Sequence, residues 1–154
     1  MGLQAVFQQV EQAFGPVNGV IHAAGITKEL FHPLPTLHPA VCADQFRPKV
    51  NGLLVLHELL QGKALDFCIL LSSLASVLGG LGMAAYAAVN LFMDAFAHQQ
   101  NRQSDVHWLS VNLDGWQTED EAHTTDRQGT GNVPAAFGSA ISSATSSRSA
   151  RPSC

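Results

Sequence analysis

The chain has 154 residues, 46% of them hydrophobic and only 13% charged, with a formal net charge of −4. That length suffices for one ordinary domain with a buried core. The acidic balance argues against an electrostatic nucleic-acid binder, which wants a basic face. No apolar run approaches the roughly 18–20 residues that cross a bilayer, and no basic segment followed by an apolar stretch opens the chain. No nucleic-acid or membrane partner is expected, and a cytoplasmic location is inferred from the missing signals.

Taken in chain order, helical and strand patterns alternate. Residues 3–14 (LQAVFQQVEQAF) place Leu3, Val6, Phe7, Val10 and Phe14 on one helical stripe, which Gly15-Pro16 stops. GVIHAA at 19–24 reads as a short apolar strand, and Gly25 opens a loop holding Pro33, Pro35 and Pro39. A second helical pattern sets Phe46, Val50, Leu53, His57 and Leu60 at core spacing, with a kink expected at Pro48 and an end at Gly62. DFCILLSS at 66–73 is apolar without alternation, the signature of a strand covered on both faces. Gly79, Gly80 and Gly82 lead to a third helix at about 84–102, and HWLSVNL at 107–113 is the last strand. This order predicts an α/β fold with a doubly wound parallel sheet.

The folded body is placed at 1–120. Residues 139–154 (SAISSATSSRSARPSC) hold seven Ser in sixteen positions. Such composition buries too little to offset its ordering entropy, so 121–154 is expected to be a disordered low-complexity tail. Cys42, Cys68 and Cys154 are odd in number and far apart, and none of the seven His falls in an HxH or HExxH pattern. Neither a disulfide framework nor a metal site is expected.

In an open parallel sheet, ligands bind beyond the carboxyl ends of the strands. That rule selects three stretches: His22 to Gly25, Ser72 to Ser76, and Asn112 to Trp116. The strongest constellation is Ser73 at a strand end, Tyr86 thirteen residues later at a helix start, and Asn90 one turn beyond it. Tyr86 and Asn90 share a helix face. A phenol ionises near pH ~10 and is a poor acid or base at neutrality unless a cation favours its phenolate. Lys49 is the available cation. Taken singly, each residue has a plainer reading: a Tyr after Ala-Ala packs, a lone Lys is a solvated charge, and a Ser ending a strand caps a turn. Their joint spacing is what points to chemistry.

The stretches FRPKVNG, ILLSSLAS, GLGMAAYAAVN and LFMDAFAHQQ resemble the ketoreductase domain of modular polyketide synthases, a branch of the short-chain dehydrogenase/reductase superfamily. GVIHAAG is similar to that branch's version of the superfamily's NAG strand. VNLDGW resembles its cofactor-side strand and loop, departing at Leu113 and Asp114. The likeness runs from about Leu3 to Trp116. It implies that Tyr86 donates a proton to a β-keto oxygen as hydride arrives from NADPH, while Ser73 hydrogen-bonds that oxygen. Lys49 is implied to support Tyr86, with Asn90 holding the proton relay; this exchange of Lys and Asn positions is typical of the branch. Ala23, Ala24 and Gly25 are implied to lie along the cofactor, and Asn112, Gly115 and Trp116 to flank the nicotinamide. The implied substrate is a β-ketoacyl chain on the phosphopantetheine arm of an acyl-carrier protein.

Two stereochemical markers of the family are not met. Ile26-Thr27-Lys28-Glu29 stands where one branch has Leu-Asp-Asp, and Leu78 stands where the other often has Trp. The alcohol configuration stays open. The family's Gly-rich diphosphate turn, TGGxGxxG, does not occur, and Gly79-Gly80-Leu81-Gly82 reads as a substrate loop. The chain is therefore expected to be the later part of a larger, partial Rossmann-like domain lacking the first βαβ units. On that reading it is inactive alone and a missing N-terminal half is its partner. The competing expectations are a non-catalytic piece that completes another polypeptide through an exposed sheet edge, and a small oxidoreductase acting on free substrates.

Overall fold

A computed structural model describes residues 2–26 and 30–114. The expected tail at 121–154, the site positions Gly115 and Trp116, and residues 27–29 lie outside the described residues. Three parallel strands pair in the order β1 (Gly19–His22), β2 (Phe67–Ser73) and β3 (His107–Leu113). In register, Gly19 faces Phe67 and His22 faces Leu70, while Phe67 faces His107 and Ser73 faces Leu113. The strands are joined by helical crossovers, as parallel pairing requires.

The first helix, α1 (Leu3–Phe14), ends where Gly15 adopts φ 87°, with the Gly15 N–H returning to the Glu11 carbonyl. Its apolar stripe exists, but Leu3, Val6, Val10 and Phe14 are exposed; Phe7 alone of the stripe packs against the core. Helix α2 (Pro39–Phe46) starts on a proline, whose missing N–H costs nothing in a first turn. At Pro48 the chain widens rather than breaks. Residues Arg47–Asn51 form one π-helical turn, in which the Gly52 N–H reaches back to the Arg47 carbonyl, before α3 (Gly52–Leu60) resumes. The extra residue in this turn directs both Lys49 and Val50 inward. After β2 come a single turn, α4 (Ala75–Leu78), and the long α5 (Ala84–Gln100).

The core gathers Leu53, Leu56 and Leu60 of α3, Cys68 and Leu70 of β2, Met93, Phe96 and Ala97 of α5, and Trp108 of β3. His57, Phe96 and Trp108 meet edge to face, with centroids 5.3 to 5.9 Å apart. Burial pushes the Cys68 thiol up to about 12, so it acts as a small apolar side chain.

The expectation that β2 is covered on both faces is corrected. Cys68, Leu70 and Ser72 are buried, whereas Phe67, Ile69, Leu71 and Ser73 on the alternate face are not. The sequence is apolar on both faces, and the described helices close only one. Phe46, expected in the core, also sits at its margin. Among the described residues no helix is long and apolar enough to cross a membrane, and no group of three His, Cys, Asp or Glu could hold a metal ion.

Candidate active site

Lys49 is 6% exposed, and its Nζ donates to the Leu71 carbonyl at 2.9 Å. The same nitrogen stands 6.0 Å from the centroid of the Tyr86 ring. Burial lowers the Lys49 pKa from its ordinary range, and the negative charge of Asp94 opposes that shift. Gly25, past the end of β1, leaves the space this side chain needs: a Cβ there would meet Lys49 Cε at 3.0 Å. The ammonium thus sits among the end of β1, the backbone of β2 and the start of α5. His22 is buried beside the same turn. Desolvation holds its pKa below the ordinary value, a hydrogen bond to the Lys49 backbone opposes this, and the Lys49 charge adds to the lowering.

On α5, Tyr86, Asn90 and Asp94 follow at four-residue intervals along one face. Asn90 is fully buried; its Nδ2 donates to the Tyr86 carbonyl at 2.7 Å, and its Oδ1 has no partner among the described residues. Ser72 Oγ donates to the Asn90 carbonyl at 3.3 Å. Ser73 Oγ accepts the Ala75 N–H at 3.2 Å, which starts α4 and leaves the hydroxyl hydrogen free to donate. The structure therefore brings Lys49, Tyr86 and Asn90 together. Ser73 lies at the adjoining end of β2.

Ala23, Ala24 and Gly25 form an exposed shelf of small residues beyond β1. Asn112 is half-buried, and its Nδ2 donates to Ser76 Oγ at 2.9 Å and to Asp94 Oδ2 at 3.3 Å. Ser76 Oγ donates to Asp94 Oδ2 at 2.6 Å, and Ser110 Oγ donates to Asp94 Oδ1. Desolvation raises the pKa of Asp94, but hydrogen bonds from Ser110, Ser76, Ser72 and Asn112 outweigh it and hold the carboxyl below its ordinary value. The hub at Asp94 is the feature that spacing did not single out. The available signal was its place two turns after Tyr86 on the same helix face.

The residues present fit the nicotinamide end of a dinucleotide. The shelf at Ala23 to Gly25 carries no side chain that would block a flat ring, and the orphaned Asn90 Oδ1 can accept from a water or hydroxyl. The Gly79–Gly82 turn is engaged elsewhere. The His32 N–H donates to the Gly82 carbonyl at 2.7 Å, and the Phe31 ring occupies the space where a Gly82 Cβ would be.

Comparison with known proteins bears on the family of the chain. The family model described as KR domain matches residues 1–118. Polyketide synthase PksN of Bacillus subtilis (strain 168) is 38% identical over 116 residues, covering 72% of this chain and 2% of the relative. Two solved structures superimpose well. A ketoreductase from the first module of phoslactomycin biosynthesis in Streptomyces sp. HK803 has TM-score 0.67 and 29% identity, covering 82% of this chain and 30% of that one. A ketoreductase domain from the bacillaene assembly line has TM-score 0.62 and 33% identity, covering 82% and 33%. The chain thus spans a small part of its curated relatives and about a third of the solved ketoreductase chains. The family-model match over residues 1–118, with the similar polyketide synthase and the superimposed ketoreductases, settles the lineage: this chain belongs to the KR domain family, the ketoreductase domains of polyketide synthases within the short-chain dehydrogenase/reductase superfamily.

Proposed function

We propose that this chain carries the catalytic face of an NADPH-dependent β-ketoacyl reductase of polyketide biosynthesis, acting in the cytoplasm. Its substrate is a β-ketoacyl chain held as a phosphopantetheine thioester on an acyl-carrier protein. The single observation that carries the reading is the buried Lys49 ammonium, 6.0 Å from the Tyr86 ring at the carboxyl end of the sheet, beside the shelf at Ala23 to Gly25.

NADPH, when bound along that shelf, supplies the hydride that reaches the carbonyl carbon. Tyr86 gives its hydroxyl proton to the carbonyl oxygen as that oxygen gains the electron pair of the C=O bond. The Ser73 hydroxyl hydrogen, free because its oxygen serves the Ala75 N–H, donates to the same oxygen and orients it. The Lys49 ammonium stands beside the ring that gives up the proton, and the Asn90 Oδ1, which has no partner among the described residues, accepts within the path by which the proton returns.

The reading is tested in a polypeptide that supplies the Gly-rich diphosphate turn, either fused upstream or expressed separately and mixed with this chain. NADPH oxidation against a β-ketoacyl thioester should appear. Tyr86→Phe should abolish it while sparing cofactor binding followed by nicotinamide fluorescence. An active Tyr86→Phe variant overturns the assignment of the proton donor.

A second reading has its own observation. β1 pairs with β2 alone among the described residues, and Ile21 on it is 60% exposed. A non-catalytic role, completing another polypeptide by strand addition at that edge, fits this feature. Complex formation without recovered reduction would favour it.

A further inference from the structure

We propose that Asp94 is a positioning residue of this site: its carboxylate, gripped by Ser76, Ser110 and Asn112, fixes the face of α5 that carries Tyr86 and Asn90 against the carboxyl ends of β2 and β3. The proposal rests on the ketoreductase reading for its catalytic consequence and on geometry alone for the clamp. Past Asp94, toward its C-terminal end, α5 packs into the core through Phe96 and Ala97, and Met93 belongs to the same apolar cluster. Such apolar packing is non-directional and leaves small slides of the helix cheap. Nearer the carboxyl ends the contacts are directional. Asp94 receives Ser76 of α4 and both Ser110 and Asn112 of β3, and Ser72 of β2 donates to the Asn90 carbonyl one turn away.

The consequence reaches Ser73. Its oxygen accepts the Ala75 N–H in the turn that leads to Ser76, so the segment from Ser72 to Ser76 is tied to α5 at two places, Asn90 and Asp94. Loosening Asp94 frees the Ser73 turn relative to Tyr86, two groups that must converge on one carbonyl oxygen. The donors all point at an ionised acceptor, which is the arrangement that makes charge-assisted hydrogen bonds strong. That charge also bears on Lys49. The titratable groups facing Lys49 are His22 at the end of β1, and Tyr86 and Asp94 on α5; β2 offers it only the Leu71 carbonyl.

The test begins on the full chain, which has only three lysines, Lys28, Lys49 and Lys63. With lysine labelled at 13Cε, the Lys49 resonance is identified by its loss in Lys49→Arg. Asp94→Asn should move the Lys49 titration to lower pH, because the opposing charge is gone. Ser110→Ala removes one strut, keeps the charge, and should move it far less. An unmoved Lys49 titration in a folded Asp94→Asn chain overturns the statement that the Asp94 charge bears on Lys49. In the reducing polypeptide, Asp94→Asn should lower kcat on the order of 10²-fold with the KM for NADPH little changed, as displaced catalytic groups do. Equal loss in kcat and rise in KM, or no loss, overturns the proposal. If Asp94→Asn does not fold, Ser76→Ala with Ser110→Ala carries the test: about a tenfold fall in kcat is expected from two lost charge-assisted bonds, and an unchanged kcat overturns the proposal. An inactive wild type, or an active Tyr86→Phe, defeats the ketoreductase reading while leaving the Lys49 measurement to judge the reach of the Asp94 charge by itself.

Discussion

The two faces of the sheet have nearly the same amino-acid character and opposite fates. On one, Cys68, Leu70 and Trp108 are sealed by α3 and α5; on the other, Ile21, Leu109 and Val111 stand open, with Leu109 51% exposed. Apolar content therefore reports that a face needs cover without saying which chain provides it. The covered face is also graded along the strands. Its apolar layer gives way at the carboxyl ends to His22, Ser72, Ser110 and Asn112, which is where Lys49 and Asp94 enter. Chemistry sits where the closed face turns polar.

The largest test of this contrast is a pair of truncations. Leu70→Ala on the covered face removes a fully buried side chain and should cost about 2–5 kcal/mol. Leu109→Thr, on the open face of the neighbouring strand, should stay within about 0.5 kcal/mol. Denaturant midpoints measured side by side give both values. Equal costs would mean that the open face is covered in solution.

The elements on both sides of this contrast were legible from pattern. The strand at 107–113 falls where alternating turns and apolar runs place it, and Tyr86 and Asn90 share the helix face that their spacing dictates. Pro48 marked the irregularity in the second helix, though local rules anticipate a kink rather than a π turn that turns Lys49 inward. The coverage of β2 was misread because a strand's own residues cannot reveal whether the helices for its second face are at hand. The Asp94 hub was missed for a related reason. Its partners come from α4, eighteen positions before it, and from β3, sixteen and eighteen positions after it, and no local pattern records a hydrogen bond that topology creates.

Acid should erode the covered face from its polar end. His22 has a lowered pKa, so as pH falls through its ordinary 6.5 the unfolded chain takes up a proton that the folded chain resists. Stability then declines with falling pH until the folded His22 titrates. Asp94 is also lowered, so a second decline begins as pH falls through the ordinary 3.8 and ends below the folded value. In both windows the unfolded state binds more protons, which gives stability the same sign of slope, rising with pH. His22→Gln should flatten the upper window and Asp94→Asn the lower one. Urea midpoints taken across pH 3 to 7, about one reading per half unit, would show this. A His22→Gln chain that keeps the full upper slope would move the origin of that slope to another residue.

Crowding at a glycine distinguishes the buried site from the open face more finely. A Cβ at Gly25 would press Lys49 Cε at 3.0 Å, and Lys49 is enclosed and bonded to the Leu71 carbonyl. Gly25→Ala should therefore cost about 1–3 kcal/mol, as overpacking does, and shift the Lys49 13Cε signal as its hydrogen bond stretches. Retained stability with an unshifted signal would show that the shelf has slack.

Gly19→Ala makes the matching intrusion on the open face, and its effect should be the smallest of the set. Gly19 lies opposite Phe67 in the β1–β2 register, and an added Cβ would approach the Phe67 ring to 2.5 Å. By distance alone this is the worse clash. The obstacle, however, is the far end of a side chain 37% exposed on the uncovered face, which can rotate into solvent. Release of the ring forfeits a little apolar contact, and the alanine regains part of the entropy that glycine loses in a strand. The two terms are each below about 1 kcal/mol and opposite in sign, so the net change in unfolding free energy should be near zero. Ring-current shifts on β1 should fall as Phe67 swings away. A cost as large as that of Gly25→Ala would mean that Phe67 is held from outside, and that the face which looks open in this chain is in fact closed.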